Sequence, residues 1–227
     1  MTSCHKKIKA IILARGGSKG IPNKNIIDFC GKPLLSYTIE QAKNSKYIDE
    51  VYVSSDSDVI LKVSEKYGAT PIKRPGSISG DRASSESALI HFLDNYPDCE
   101  TILFLQPTSP LRHTHDIDYA IDKYIKNNYD CLFSANKAED LCVWAVDKGV
   151  YSSLTYDYKN RKRRQDISNL VLENGSFYII DSEGFMKNNN RLFGKIGHYI
   201  MDPWKIHEID SVLDLELCQF VYKRRIK

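Results

Sequence analysis

Short apolar runs of strand length alternate with stretches of helical periodicity along most of the chain, and this alternation limits the fold more than any other feature. Lys7–Leu13 reads as a buried strand and Leu34–Asn44 as a helix. Val51–Ser54 is a second strand, Val59–Tyr67 a second helix and Thr70–Lys73 a short third strand. Ser84 is placed to cap a helix whose Ala88, Leu89, Phe92 and Leu93 recur on one face. Thr101–Leu105 and Cys131–Ser134 read as strands, with a helix near Asp116–Lys126 between them. The pattern predicts an α/β fold: a mostly parallel sheet with helices on both faces. Such sheets bind ligands beyond the carboxyl ends of their strands. The loops after Leu13, Ser54, Lys73 and Leu105 are therefore expected to share one functional edge.

The alternation falters over residues 136–173. A hairpin is expected there around Asp147, Lys148 and Gly149, followed by the basic run Arg161–Arg164. Asn174–Ile180 and Ile196–Met201 return as strands, and a helix over Asp210–Lys223 closes the chain. A length of 227 residues fits one domain with a small excursion. The net charge of +3 is too mild for a nucleic-acid partner. No run reaches the roughly 18 apolar residues of a membrane span. The N-terminal run Ile8–Ala14 is broken by Lys9 and meets Arg15 at once, so no signal peptide is expected and the cytoplasm is the expected compartment. Cys4, Cys30, Cys99, Cys131, Cys142 and Cys218 form no CxxC pair or zinc pattern and read as reduced thiols.

The loop after the first strand, Ala14–Asn25, is the most informative stretch. Gly16, Gly17 and Gly20 let the backbone turn tightly and bring N–H groups to a ligand. Arg15, Lys19 and Lys24 add positive charge, as a triphosphate requires. The loop is neither a Walker A sequence nor the dinucleotide G-x-G-x-x-G pattern.

This loop resembles the signature of the CMP-sialic acid synthetases (acylneuraminate cytidylyltransferases) and their relatives that activate legionaminic acid. Gln106–Arg112 resembles a second signature of that family. Arg74-Pro75 with Asp81–Ser85 resembles a third, and Arg164–Asp166 with Asn174–Tyr178 a fourth. Glu208-Ile209-Asp210, running into Leu213-Asp214-Leu215, resembles the last. The resemblance implies a nucleotide-diphospho-sugar transferase-like, Rossmann-like sheet that transfers CMP from CTP to an acidic nine-carbon sugar.

It also implies roles. Arg15, Gly16, Gly17, Ser18, Lys19, Lys24, Asn25, Arg74, Ser84 and Ser85 would hold the nucleotide, with Arg15 and Lys24 neutralising charge during transfer. Gln106, Arg164 and Gln165 would hold the sugar. Residues 136–173 would pair two subunits into a homodimer in which each site is completed by the partner. Related Kdo-activating enzymes carry an acidic metal ligand where this chain has Thr108. Metal ligands are therefore expected at Asp210 and Glu208, whose hard oxygens suit Mg²⁺, with Mn²⁺ as a substitute. Asp210 has a competing reading as the cap of the last helix. Leu172 stands where sialic-acid enzymes can carry an arginine, which turns the expectation toward legionaminic acid. The Gln106–Pro110 segment looks unlike that of pseudaminate- and Kdo-activating enzymes.

Two other readings differ in class. Asp56-Ser57-Asp58 follows a strand and could hold a metal on a nucleotide sugar, as in a glycosyltransferase. A non-catalytic nucleotide-binding protein would be expected to lack the loop cations or the acidic metal ligands, yet Arg15, Lys19, Lys24 and Asp210 are all present.

Overall fold

The computed structural model describes residues 7–18, 20–138, 142–163, 166 and 170–226. Its elements follow the alternation read above. In order they are β1 (Ile8–Leu13), a small hairpin of β2 (Asp28–Phe29) and β3 (Lys32–Pro33), α1 (Leu34–Lys43), β4 (Glu50–Ser55), α2 (Asp58–Lys66), β5 (Thr70–Lys73), α3 (Ser85–Asn95) and β6 (Thr101–Leu105). Then come α4 (Thr114–Asn127), β7 (Cys131–Lys137), β8 (Trp144–Asp147), β9 (Val150–Ser153), β10 (Val171–Asp181), α5 (Ser182–Asn188), β11 (Ile196–Ile200) and α6 (Val212–Arg225).

Seven strands form one sheet in the order β11-β7-β10-β6-β1-β4-β5. Strand β1 lies parallel to both β4 and β6. The chain builds outward through β4 and β5, then crosses back to place β6 on the other side of β1. That reversal opens a crevice at the carboxyl ends of β1 and β6, where ligands bind in open α/β sheets.

Side-chain alternation assigns the layers. Ala10, Ile12, Leu103 and Leu105 pack on the face covered by Leu35, Ile39 and Ala42 of α1, Ile60 of α2, and Ile117, Ile121 and Tyr124 of α4. Ile11, Ile102 and Phe104 face the other way, onto Leu89, Phe92 and Leu93 of α3 and Phe185 of α5. A third cluster, with Phe29, Leu34, Tyr37, Ile209, Leu215 and Cys218, fastens α6 to the hairpin and to α1.

Strand β10 is longer than the expected Asn174–Ile180 and runs antiparallel to both β6 and β7. Its first rungs pair Val171 with Lys137 and Leu172 with Asn136, so the excursion springs from two neighbouring strand ends. Within the excursion β8 and β9 form the expected hairpin as a separate two-stranded sheet. That hairpin exposes Val146, Val150 and Tyr151, with Leu154 and Tyr158 close after it. The last helix begins at Val212 rather than Asp210. Ser211 is its N-cap, accepting from the Asp214 N–H, while the Asp214 carboxylate accepts from the Ser211 N–H at 2.7 Å. Cys30, Cys99, Cys131, Cys142 and Cys218 are thiols, joined in no disulfide. Among the described residues no helix is long and apolar enough to cross a membrane.

Candidate active site

A cleft of about 540 Å³ opens at the carboxyl ends of β1 and β6, bordered by Leu13 and Phe104. Three connections of the chain meet there, the one between β5 and α3 at both its ends. The loop after β1 supplies Arg15, Ser18, Lys24 and Asn25; the chain after β5 supplies Arg74; the start of α3 supplies Ser84 and Ser85; the loop after β6 supplies Gln106. Asp210, just before α6, closes the rim.

Each is held by local structure. The Asn25 side chain donates to the Arg15 carbonyl at 3.0 Å, drawing the loop back on itself. Ser84 accepts from the Ser87 N–H at 3.1 Å, so it caps α3 while lining the cleft. The two roles are compatible, because a helix N-terminus favours anions. Arg74 is buried, and its Nε donor has no protein partner. Burial pushes its pKa down, as does the neighbouring Arg15 charge, while Asp56 opposes the fall. A desolvated guanidinium with an unmatched donor is suited to an anionic ligand.

Two of the loop cations, Lys24 and Arg15, already carry carboxylate partners. Lys24 Nζ lies 2.8 Å from Asp210 Oδ1, and Arg15 Nη1 lies 2.7 Å from Asp81 Oδ1. Gly20 makes the first of these contacts possible. A Cβ there would lie 2.3 Å from the Asp210 carbonyl oxygen, so only glycine lets the loop close against this segment.

Asp210 is free of the capping role because Ser211 takes it, and its side chain is 73% exposed. Glu208, the other expected metal ligand, is placed differently from Asp210. It is not among the residues lining the cleft, and its Oε1 lies where a Cβ on Gly175 would come within 2.4 Å. Gly175 has φ +67, a conformation glycine adopts without strain. Burial, then the Asp210 charge, pushes the Glu208 carboxyl up to about 7, with Lys24 opposing. A hard-oxygen donor at the rim, backed by a second carboxylate that feels its charge, fits a divalent cation of the magnesium class. His113, His115 and Asp116 also come within 4.8 Å of one another. Both Asp116 oxygens there accept from the buried Lys205 ammonium, which leaves that group little capacity for a cation.

Some of the expected residues are engaged or placed elsewhere, and three are not among those described. The Gly16 N–H is turned away from phosphate duty, since it donates to Asp56 Oδ1 at 2.8 Å. Gly17 does not line the cleft. Lys19, Arg164 and Gln165 lie outside the described residues. The Asp56-Ser57-Asp58 group is engaged elsewhere: Asp56 anchors the glycine loop and Asp58 pairs with Lys73 at 2.6 Å. One supporting residue was visible in the sequence only as part of a signature. Arg112 is buried and donates to the Ser176 carbonyl, the Ser176 hydroxyl and the Thr38 hydroxyl. The Gln106 N–H donates to the same Ser176 carbonyl at 3.0 Å, so Arg112 fixes the strand junction on which Gln106 stands.

Residues 9–183 match the cytidylyltransferase family model. The chain belongs to the cytidylyltransferase family. Among its cytidylyltransferase relatives is the pseudaminic acid cytidylyltransferase of Campylobacter jejuni, 35% identical over 94% of this chain and 95% of that protein. The N-acylneuraminate cytidylyltransferase of Escherichia coli is also 35% identical, over 96% of this chain and 53% of its own length. That of Oncorhynchus mykiss is 36% identical, over 92% and 49%. The chain thus spans about half the length of these two N-acylneuraminate relatives. The expected separation from pseudaminate-activating enzymes is not supported, because one of them matches end to end at the same identity. Among solved structures, CMP:2-keto-3-deoxy-manno-octonic acid synthetase complexed with CTP has a TM-score of 0.73 at 16% identity, covering 97% of this chain and 100% of that one. A 4-diphosphocytidyl-2C-methyl-D-erythritol synthase from Anaerococcus prevotii has a TM-score of 0.69 at 18% identity, covering 97% and 99%. These two share the cytidylyltransferase's fold.

Proposed function

We propose that this cytidylyltransferase transfers CMP from CTP to the anomeric hydroxyl of a nonulosonic acid and releases pyrophosphate. The observation that carries this reading is the convergence of Arg15, Lys24, the buried Arg74 and the α3 N-terminus on one cleft with an exposed carboxylate, Asp210, at its rim. The names of the relatives, acting on pseudaminic acid and N-acylneuraminate, support the sugar class.

In this mechanism Arg74, Ser84 and Ser85 hold the nucleotide, and Ser18 and Asn25 order the loop around the phosphates. The sugar hydroxyl attacks the α-phosphorus in line, its proton passes to solvent, and pyrophosphate leaves with the electron pair of the broken P–O bond. Arg15 and Lys24 exchange their carboxylate partners for phosphate oxygens and neutralise the leaving group. Gln106 orients the sugar on the floor set by Arg112. Mg²⁺, or Mn²⁺ in its place, would be held by Asp210 with Glu208 behind it and, when bound, supplies further neutralisation of phosphate charge. Arg164 and Gln165 are proposed to reach the sugar carboxylate across a homodimer. The exposed apolar side chains of the β8–β9 hairpin support pairing through residues 136–173. A cytoplasmic location goes with the use of CTP.

Pyrophosphate release tests the reading directly. The protein is assayed with Mg²⁺ and each of CTP, ATP, GTP and UTP against sialic, legionaminic and pseudaminic acids. Release that requires both CTP and a nonulosonic acid is the expected result. Folded protein that binds CTP yet releases nothing with any sugar would overturn it. Leu172→Arg, on the β10 rung facing Asn136, is expected to shift preference toward sialic acid. An unchanged sugar profile would remove Leu172 from the specificity argument.

A further inference from the structure

Arg191 lies between α5 and β11, outside every motif discussed above. It nevertheless reaches the start of α3. Its Nε and Nη2 both approach Glu86 Oε1, at 2.8 and 2.7 Å, and the two side chains are only 19% and 22% exposed. Its guanidinium also sits 5.0 Å from the Tyr178 ring and 5.4 Å from the Phe104 ring. Those rings are stacked with centroids 5.7 Å apart. Tyr178 is tied in turn, donating its hydroxyl to Glu173. Arg191 is therefore fixed by a forked contact at one end and by aromatic faces at the other, a geometry that suits arginine and not lysine.

Its partner stands at a sensitive place. Glu86 follows directly on Ser85, in the first turn of the helix whose Ser84 and Ser85 line the cleft. The helix N-terminus tolerates a carboxylate. The same carboxylate, left without a cation, would repel a polyanion approaching these serines. Phe104, the ring beneath Arg191, itself lines the cleft two residues before Gln106.

We propose that Arg191 is a positioning residue for nucleotide binding, one that neutralises Glu86 and holds the Ser84–Ser85 turn against the Phe104 floor. The proposal rests on the reading of this cleft as the CTP site. It predicts a defect confined to the nucleotide, because Arg191 acts through α3 rather than on the sugar.

The test compares Arg191→Met, Arg191→Lys, Glu86→Gln and the double variant with the parent protein, each with its thermal midpoint recorded. Arg191→Met is expected to raise the KM for CTP about tenfold, with kcat and the sugar KM within about twofold. Adding Glu86→Gln is expected to recover most of that loss, since no stranded carboxylate remains. Arg191→Lys keeps the charge without the fork, folds with less disturbance, and is expected at about threefold. An unchanged CTP KM in folded Arg191→Met would overturn the proposal. So would a rise in sugar KM in place of CTP KM, or a double variant no better than the single one. A lowered thermal midpoint with no selective change in CTP KM would reduce Arg191 to a structural residue. Parent protein that fails to bind CTP would instead overturn the reading of the cleft, so the two failures are distinguishable.

Discussion

Cations mark both ends of β1, and the two ends treat them in opposite ways. At the amino end, Lys9 is 4% exposed, with Glu50 at 3.0 Å, Asp98 at 2.9 Å and the Tyr52 hydroxyl at 3.3 Å. Its ammonium also lies over the Tyr52 and Tyr96 rings. Burial alone would lower its pKa, but the hydrogen bonds to Asp98, Glu50 and Tyr52 outweigh burial and hold it above the ordinary value. Asp98 is correspondingly held down to about 2 by Lys7 and Lys9. At the carboxyl end, Arg15 and Lys24 are themselves 36% and 17% exposed and line the cleft, and they meet Asp81 and Asp210, carboxylates about as solvated as Glu50 and Asp98 or more so. The first arrangement surrounds a charge with partners from several elements and leaves it nowhere to go. The second leaves each cation open to the cleft, where an incoming polyanion can displace its carboxylate. One strand thus separates charge used for folding from charge available to a ligand.

The largest expected effect comes from removing an exchangeable cation. Lys24→Ala is expected to lower kcat/KM for CTP by about 100- to 1000-fold, as for loss of one preorganised group stabilising transition-state charge, and to leave the thermal midpoint near that of the parent. A large loss of stability instead would erase the contrast between the two ends. Lys9→Met should do the reverse. It is expected to destabilise the fold by about 2 kcal/mol, less than breaking a fully buried pair because Glu50 and Asp98 keep water on one side. Chemical denaturation measures this, and turnover per folded molecule should be unchanged. The smallest effect is a pH dependence at the catalytic end. Glu208 titrates near 7 in the folded protein against 4.5 ordinarily. The folded state therefore binds the proton more tightly, and its contribution to stability, full below about pH 4.5, is lost as pH rises toward and through 7. In chelator, Glu208→Gln is expected to be more stable than the parent at pH 8, by on the order of 1–2 kcal/mol after allowance for solvent screening, and to lose that advantage at pH 4. Parallel stability profiles for the two proteins would show that Glu208 carries no such charge.

Much of this arrangement was legible beforehand. Strand and helix periods gave β1, β4, β5, β6 and the helices between them, and the cations near Gly16–Gly20 pointed to the edge where the cleft opens. Ser84 was readable as a cap because a hydroxyl before a periodic apolar run has few other uses. The direction of β10 was not readable, since an apolar strand looks the same in a parallel and an antiparallel ladder. Nor could spacing say that Ser211 would take the cap and release Asp210, or that Glu208 would turn toward Gly175. Both outcomes depend on contacts across more than 30 residues or on the competition between adjacent side chains. Arg112 and Arg191 were hidden for a related reason. Arginine in a sequence reads as surface, and only the folded packing reveals a buried network or an aromatic bed.

The excursion has a consequence for how such a chain can change over time. Its two stems are adjacent rungs of one ladder, Lys137 against Val171, so the sheet itself brings the ends together. For a flexible loop closed this way, doubling the intervening length adds only about 0.6 kcal/mol of closure entropy. Insertions, deletions or wholesale replacement of the hairpin leave the register of β7 and β10 intact, and with it the floor beneath Gln106. The outward-facing hairpin can therefore diversify without disturbing that floor, so long as Arg164 and Gln165, in the same excursion, keep their proposed reach to the sugar.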